Sequence, residues 1–246
     1  MTSTVDPPRH LFVRYLLTAL IIAPGAWIAL LVYLYGVNIP YWDEWDNTVQ
    51  LHMKYIDGTL RPSDFFSYTN EHRPAVPRAI DLAIEILTRG NRRVEMFASI
   101  LAAAVSVWCI YLLARRTIAQ HALALTAAAS WLLFSTMQYE NWLWGQQLML
   151  ILPITFFFLG LAVTYTGWPF WAKVTLAVLL GIGAILCNAA GFFICALLGC
   201  VQLVHTRSKR LTFLVALLVW VTAFSVSVRL YSLSSPATES EPMTRA

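Results

Sequence analysis

Long apolar segments constrain the fold of this chain more than any other feature. A helix that crosses a bilayer needs about 20 mostly apolar residues, and the segment 15–37 is the first of several that reach this length. Of the 246 residues, 59% are apolar and only 12% are charged, whereas soluble domains carry about 25% charged residues. These proportions argue against a soluble enzyme, a disordered chain and a nucleic-acid-binding module. They predict an all-α fold, a polytopic transmembrane helical bundle.

The spacing of the apolar segments predicts about seven membrane segments. One lies at each of 15–37, 94–114, 118–136, 148–165 and 211–231, and two short ones lie within 174–205. As a single helix, 174–205 would measure about 48 Å, which is too long for a hydrocarbon core of about 30 Å. Asn188 to Gly191 interrupt it, so we expect either two short spans or a re-entrant pair.

The basic residues predict the orientation. The segments assigned to the cytoplasm carry Arg9, Arg14, Arg115, Arg116, Lys173, Arg207, Lys209 and Arg210. The connector 137–147 and the break at 188–191 contain neither Lys nor Arg, as the positive-inside rule predicts for outer segments. We therefore expect a multi-pass protein of a bacterial plasma (inner) membrane, with the N-terminal segment 1–14 in the cytoplasm. The membrane domain then covers 15–231, and the polar tail 232–246 is expected to be disordered.

The loop 38–93 holds half of the charged residues, eight of the 13 acidic and seven of the 17 basic ones. The alternation of spans places this loop outside the cytoplasm. Trp45, Val49, Met53 and Ile56 recur at helical spacing, which predicts an amphipathic helix that Asp57-Gly58 ends.

A second amphipathic helix is predicted at 74–88, with Gly90 as its C-cap. Its apolar face comprises Val76, Ile80, Ala83, Ile84 and Leu87, and the residues off that face include Arg78, Asp81 and Glu85. We expect both helices of the loop to lie flat at the membrane interface.

Two short motifs in this loop carry a resemblance. Asp43 and Glu44 form an acidic pair about four residues after the first span, and Glu71-His72-Arg73-Pro74 lies between the two predicted helices. An acidic pair, a helix ending in Asp-Gly, a Glu-basic-Pro turn and a second helix, in this order, resemble the GT-C glycosyltransferases. That family includes protein O-mannosyltransferases and the aminoarabinose transferases of lipid A. The resemblance covers residues 15–115 in detail, with His-Arg where some members have Lys, and the remainder only as a seven-helix N-terminal module.

The resemblance implies a function at the outer face of the membrane. Members of the family transfer a sugar from a polyprenyl-phosphate carrier to an extracytoplasmic acceptor, and the acidic motif of the first outer loop is catalytic. They continue with further helices and another outer loop, whereas a polar tail follows the last apolar segment here. We therefore expect a truncated product, a fragment comprising the N-terminal module, or a remnant that binds a lipid-linked sugar without turnover. The expected partners are membrane lipids and the polyprenyl-phosphate-linked sugar, and no nucleic acid.

The acidic motif supplies the candidate catalytic residues, Asp43 and Glu44. Asp43 is the candidate base for the acceptor hydroxyl, because Glu44, Asp46 and the nearby Trp rings would raise its pKa. Asp43, Glu44 and Asp46 would alternatively hold Mg²⁺ or Mn²⁺, which prefer carboxylate oxygens. The alternative without function is a solvated helix N-terminus, where acidic residues favour the helix dipole.

Further residues are candidates for binding substrate or its phosphate: Asp46, His72, Arg73, Arg78, Glu140 and Asn141. Arg recognises phosphate through a planar fork of donors. The alternative for the basic residues is contact with lipid headgroups, or ion pairing with Asp81 and Glu85. The alternative for Glu140 and Asn141 is a role as connector and cap groups.

Two other function classes stay open from the sequence. One is a non-catalytic polytopic protein that assists assembly of cell-envelope glycans. The other is a small transporter, which the near absence of charges inside the spans disfavours.

Overall fold

The computed structural model describes residues 7–206 and 209–232, with the side chains of 7–10 outside the described part. The described residues are mostly helical and contain no strand, apart from one isolated pairing of Thr69 with His72. The helices are α1 (Pro7–Tyr35), α2 (Gln50–Ile56), α3 (Pro62–Phe65), α4 (Ala75–Thr88), α5 (Arg92–Thr117), α6 (Ala122–Leu133), α7 (Tyr139–Leu143), α8 (Leu148–Thr164), α9 (Phe170–Ile185), α10 (Gly191–Thr206) and α11 (Arg210–Ser232). Arg207 and the predicted disordered tail beyond Ser232 lie outside the described residues.

Four helical stretches among the described residues are long and apolar enough to cross a membrane. They are Leu11–Tyr35, Arg92–Thr117, Gly145–Thr164 and Arg210–Ser232. The expectation of a polytopic helical membrane protein is confirmed at this level. Two shorter apolar helices, α9 and α10, have 16 residues each, and the predicted interruption of 174–205 falls between them.

The segment 118–136 forms a shorter helix than its composition suggested. Only Ala122–Leu133, the 12 residues of α6, are α-helical. Ile118 leaves the helical conformation, with φ −138° and ψ 53°, and the chain makes a tight turn there. Beyond α6, the Ser135 side chain accepts a hydrogen bond from the backbone N–H of Met137 and starts a new turn. These two local conformations limit the helix to about 18 Å.

Three apolar clusters of described residues hold the helices together, of which two are large. One joins α1 and α5 to the 134–147 connector through residues that include Ile28, Met96, Phe134 and Trp142. The other joins α9, α10 and α11 through residues that include Ala177, Leu198 and Trp220. Gly181 and Gly199 both lie against the Trp220 ring, where an added Cβ would be 3.2–3.3 Å from ring carbons or, at Gly181, 3.1 Å from the Cys195 sulfur. Small residues at these positions let the helices approach closely, as in other membrane bundles.

The irregular segments gather at two opposite ends of the bundle. At one, here called the loop end, Val76 N–H donates to the carbonyl of Leu186, and Tyr231 O–H donates to the carbonyl of Glu71. The loop 36–91, the connector 134–147 and the break 186–190 meet there. At the opposite end, Arg116 donates to the carbonyl of Tyr165, and the Tyr165 ring packs against His205.

Helix α4 lies at the loop end with its two faces reversed relative to a soluble helix. Arg78, Asp81 and Glu85 are buried against the protein, at 4%, 2% and 3% exposure. The apolar side of α4 is partly exposed: Leu87 is 83% exposed and the side lines a groove of about 830 Å³, while Val76 and Ile80 pack against a buried apolar cluster. The predicted bounds of this helix, 74–88, are confirmed to within one residue. The inward direction of its charged residues was not predicted.

Candidate functional site

The side chains of Asp43 and Glu44, the acidic pair of the loop, point in different directions. The Glu44 side chain faces inward at 2% exposure. One of its oxygens accepts a hydrogen bond from Tyr41 N–H at 2.8 Å, and the other accepts one from Gln146 N–H at 3.1 Å. Burial raises the pKa of Glu44, and these two backbone donors partly oppose that shift. Both carboxylate oxygens are thus occupied in fixing the connector to the loop.

Asp43 keeps its carboxylate available. The residue is half-buried, and its side chain has no hydrogen-bond partner among the described residues. Its backbone carbonyl accepts a hydrogen bond from the Asn47 side chain at 2.9 Å. The preceding residue, Trp42, is 73% exposed and has a positive φ of 48°, a backbone conformation that costs free energy in a bulky residue and is frequent at functional sites.

Exposed aromatic residues, Tyr41, Trp42 and Trp45, flank Asp43 in the sequence. The Tyr41 and Trp144 rings meet edge to face with centroids 5.4 Å apart, and Trp42 lies 6.4 Å from Trp144. This arrangement places a carboxylate beside an accessible aromatic surface at the loop end.

The structure does not bring Asp43, Glu44 and Asp46 together. Asp46 is exposed and pairs weakly with Gln50 at 3.4 Å, whereas Glu44 is directed into the protein. Over residues 7–206 and 209–232, no group of three His, Cys, Asp or Glu residues is placed to hold a metal ion. These three carboxylates therefore do not fit a shared Mg²⁺ or Mn²⁺.

The Arg78 guanidinium donates hydrogen bonds that hold the loop together. Its Nη1 donates to the carbonyls of Phe65 and Ser67, and its Nη2 donates to the Asn47 and Thr69 side chains at 2.7 Å. Burial lowers the pKa of Arg78 to about 10, while Asp64 and Asp81 oppose the shift. Because both terminal nitrogens already bond to the protein, Arg78 has little capacity left for a phosphate.

Asn47 links the acidic segment to the basic turn. It donates to the Asp43 carbonyl, and its side-chain oxygen accepts from the Thr69 hydroxyl at 2.5 Å. Thr69 and His72 exchange two backbone hydrogen bonds of 2.9 Å each. The structure thus brings together the two motifs that are about 25 residues apart in sequence.

Within the turn, Arg73 is the unusual residue. It is 6% exposed, and its guanidinium lies 4.1 Å from the centroid of the Tyr68 ring and 5.5 Å from that of Tyr231. Its Nε and Nη2 atoms are buried without a hydrogen-bond partner among the described residues. A buried guanidinium with unpaired donors is costly, so Arg73 is suited to an anionic ligand.

A cavity of about 390 Å³ opens beside Arg73. Its other walls are almost entirely apolar and come from the ends of α9 and α11: Ile182, Ile185, Leu186, Ser227, Leu230 and Tyr231. The cavity therefore combines one cation with an apolar slot.

The remaining candidates line the same end. The His72 Nδ1 accepts a hydrogen bond from Ala189 N–H at 3.3 Å, which ties the turn to the break between α9 and α10. Glu140 is exposed and accepts a hydrogen bond from the Tyr139 hydroxyl at 3.1 Å, and Asn141 pairs with Gln138 at 3.4 Å. These contacts of Glu140 and Asn141 are local to the connector.

A buried ionic cluster behind Glu44 was not foreseen from the sequence. Arg92 is held between Glu85, to which its Nη2 donates, and Glu95, to which its Nη1 donates at 2.9 Å. Asp81 is 2% exposed beside them, and burial together with the neighbouring carboxylates raises its pKa well above the ordinary value. The available signal was the spacing of Arg92 and Glu95, three residues apart in the first turn of a span.

Gly145 shows how tightly this cluster is packed. A Cβ at that position would lie 2.4 Å from Glu95 Oε2 and 3.2 Å from Glu44 Oε1. The connector therefore passes directly over both carboxylates, and the site is a single packed unit of loop, connector and α5.

Comparison with family models, with curated proteins and with solved structures finds no match to this chain.

Proposed function

We propose that this chain is a GT-C-like membrane glycosyltransferase, or the N-terminal module of one, which engages a polyprenyl-phosphate-linked sugar at the loop end. The observation that carries the proposal is Arg73 at the head of the apolar cavity between α9 and α11. A polyprenyl phosphate has the complementary form, an anionic headgroup on an apolar chain. Arg–phosphate hydrogen bonds are among the strong, charge-assisted ones.

Asp43 is the proposed general base. The acceptor hydroxyl oxygen forms a bond to the anomeric carbon of the sugar, and the bond from that carbon to the phosphate oxygen breaks. The phosphate leaves with the electron pair, and the Asp43 carboxylate takes the proton of the acceptor hydroxyl. Arg73 stabilises the charge on the departing phosphate. No divalent ion enters this sequence of bond changes.

The membrane arrangement that we propose has seven segments: α1, α5, α6, α8, α9, α10 and α11. The contacts at the two ends support it, since successive segments run alternately between the loop end and the opposite end. The opposite end carries Arg115, Arg116, Lys173 and Lys209, so we assign it to the cytoplasm of a bacterial inner membrane.

We also propose that α2 and α4 lie at the outer membrane interface. The stripe predicted on the first helix is largely exposed, with Trp45 at 53%, Met53 at 52% and Ile56 at 62%. The exposed apolar residues of α4, like those of α2, are unfavourable in water and are stabilised by apolar contacts. Lipid at the interface provides such contacts for both helices.

A binding experiment tests the phosphate site. The purified full-length protein is titrated with a polyprenyl phosphate and with the uncharged polyprenol of equal chain length. We expect the phosphate to bind at least about tenfold more tightly, as one charged hydrogen-bond pair provides about 1.5–3 kcal/mol. Arg73→Gln should remove this preference, and Arg89→Gln, the same charge change at an exposed loop position, should retain it. Equal binding by Arg73→Gln and the native protein would contradict the site.

A transfer experiment tests the reaction separately. Membranes containing the protein are supplied with a radiolabelled polyprenyl-phosphate sugar, and labelled acceptor is counted. Asp43→Asn should abolish transfer but leave polyprenyl phosphate binding intact, whereas Asp57→Asn, on the exposed end of α2, should not change transfer. Undiminished transfer by Asp43→Asn would rule out this base. Binding without transfer by the native protein would favour the non-catalytic alternative.

A further inference from the structure

A basic pocket at the end of the bundle opposite the loop carries an inference beyond the lipid-linked-sugar site. The pocket has a volume of about 330 Å³ and lies where α9 begins, α10 ends and α11 begins. Lys173, His205 and Lys209 line it, together with Thr206, Thr212 and Trp168. The Thr206 hydroxyl itself donates to the carbonyl of Gln202 at 3.0 Å. The walls of the pocket are thus rich in basic side chains.

No acidic side chain of residues 7–206 and 209–232 compensates the positive charge of this pocket. Within residues 7–206 and 209–232, every Asp and Glu belongs to the sequence between Asp43 and Glu140 and none lines the pocket. Lys173 and Lys209 form no ion pair in that part of the chain. The N-termini of α9 and α11, which begin at Phe170 and Arg210, add the positive ends of two helix dipoles, against one negative end from the C-terminus of α10. An anionic occupant is therefore favoured.

The surroundings of the pocket indicate a membrane depth near the headgroups. Trp168 is 52% and Trp171 61% exposed, and exposed Trp is typical of the boundary between headgroups and acyl chains. The outer surface of α11 next to Thr212 is strongly apolar, with Leu211 77% and Leu218 68% exposed. A ligand that enters here meets cations at one end and an apolar surface along the helix.

We infer that this pocket binds the phosphate headgroup of an anionic phospholipid, with its acyl chains lying along α11. Basic pockets between membrane helices on the cytoplasmic side are suited to such lipids. The site is separate from the loop end and does not depend on sugar transfer.

The test uses the full-length protein in detergent, with phosphatidylglycerol binding measured by native mass spectrometry. Phosphatidylcholine of the same acyl chains and inorganic phosphate are the comparison probes. The double variant Lys173→Gln/Lys209→Gln should bind phosphatidylglycerol about 30-fold more weakly, since each lysine near the membrane surface contributes about a factor of five. The matched control Arg14→Gln/Arg115→Gln makes the same charge change at the same end, outside the pocket, and should bind like the native protein.

The outcomes separate the possible ligands. Retained binding by Lys173→Arg/Lys209→Arg, together with loss in the Gln variant, supports a charge-based headgroup site and shows that the fold survives substitution there. If the Arg14→Gln/Arg115→Gln control bound phosphatidylglycerol as weakly as the lysine variant, the loss would come from the lower overall charge at this end of the bundle. That result would overturn the site. Equal binding of phosphatidylcholine would overturn the selectivity, and displacement of phosphatidylglycerol by inorganic phosphate alone would assign the pocket to a soluble anion instead.

Discussion

Gly145 is the residue at which the connector passes closest to the buried carboxylates. Replacing it by Ala would put a methyl group 2.4 Å from Glu95 Oε2 and 2.8 Å from Glu95 Cβ. Because Glu95 Cβ is fixed to the backbone of α5 and the Gln146–Glu44 bond holds the connector in place, we expect Gly145→Ala to lower the free energy of unfolding by about 1–3 kcal/mol. Thermal unfolding in detergent measures this. Gly167→Ala is the control, since nothing lies within 4 Å of its added Cβ, and an equal loss there would contradict the packing account.

The raised pKa of Asp81 predicts that the folded protein loses stability as the pH rises. Its pKa is raised in the folded protein from an ordinary 3.8, chiefly because burial disfavours the charged form. The unfolded chain therefore loses this proton at lower pH than the folded chain. Any stabilisation from Asp81 is complete below its ordinary pKa and is lost as the pH rises towards the folded-state pKa. Melting temperatures should thus fall as the pH rises above about 4, and less steeply in Asp81→Asn, whose side chain stays neutral. Parallel curves for the two proteins would disprove this.

The contribution of Asp64 to stability depends on pH in the opposite direction to that of Asp81. Lys54 and the Arg61 N–H hold the pKa of Asp64 below its ordinary value of 3.8. Its contribution is present above that value and is lost on acidification through the folded-state pKa. In Asp64→Asn, the acid limb of the stability curve should become shallower and the alkaline limb should not change. Thermal unfolding over the acidic range checks this.

The sequence pointed to candidate residues in one loop, but it did not predict their contacts. Asp43 and Glu44 were predicted as a pair, but neighbours in a tight turn point in different directions, and Glu44 is drawn inward by Gln146, 102 residues further along the chain. Arg78 was expected to bind phosphate, but its acceptors come from Asn47, Phe65, Ser67 and Thr69. Such partners depend on tertiary contacts that no local spacing encodes.

At the scale of elements, the Arg78 guanidinium joins three segments of the loop. Arg78 connects α4 to the segment that ends α3 and to the helix that carries Asn47. Lysine keeps the charge but lacks the planar fork, so Arg78→Lys should destabilise the loop locally by about 2–3 kcal/mol. Limited trypsin digestion of the folded protein should then cut within the loop faster, while digestion of Arg89→Lys proceeds at the native rate. Unchanged cutting of Arg78→Lys would show that the loop holds without this fork.

Helix boundaries were predictable where local chemistry sets them. The helix at 74–88 is observed at Ala75–Thr88, and its C-terminus uses left-handed Arg89, with φ 55°, followed by Gly90, with φ 83°. Ile56 ends the first loop helix before Gly58, as the Asp-Gly pair predicted. The extent of α6 was wrong because composition alone does not reveal a backbone turn at Ile118. The inward direction of the polar face of α4 was also missed, since it depends on Arg92 and Asn47 as partners.

At the scale of the whole molecule, the alternating path makes a topology prediction. In a Cys200→Ser background, cysteines are introduced one at a time at Ser63 in the loop, Met137 in the connector and Gly167 between α8 and α9. The other native cysteines are buried. An impermeant maleimide should label positions 63 and 137 in intact cells and position 167 only after permeabilisation. Labelling of positions 63 and 137 from different sides would contradict seven segments.

The reversed polarity of α4 has a consequence for how substitutions will be tolerated. In a soluble protein, a charge on the outward face of a helix is harmless and a charge on the inward face is damaging. Here the inward face includes Arg78, Asp81 and Glu85 beside the buried Leu82, and Leu87 on the outward face is 83% exposed. A lysine at position 87 would therefore be the damaging change in a bilayer, while in detergent-free water the native leucine would promote self-association. The residues on the outward face of α4 are therefore matched to the medium around the helix, as those on its inward face are matched to the protein.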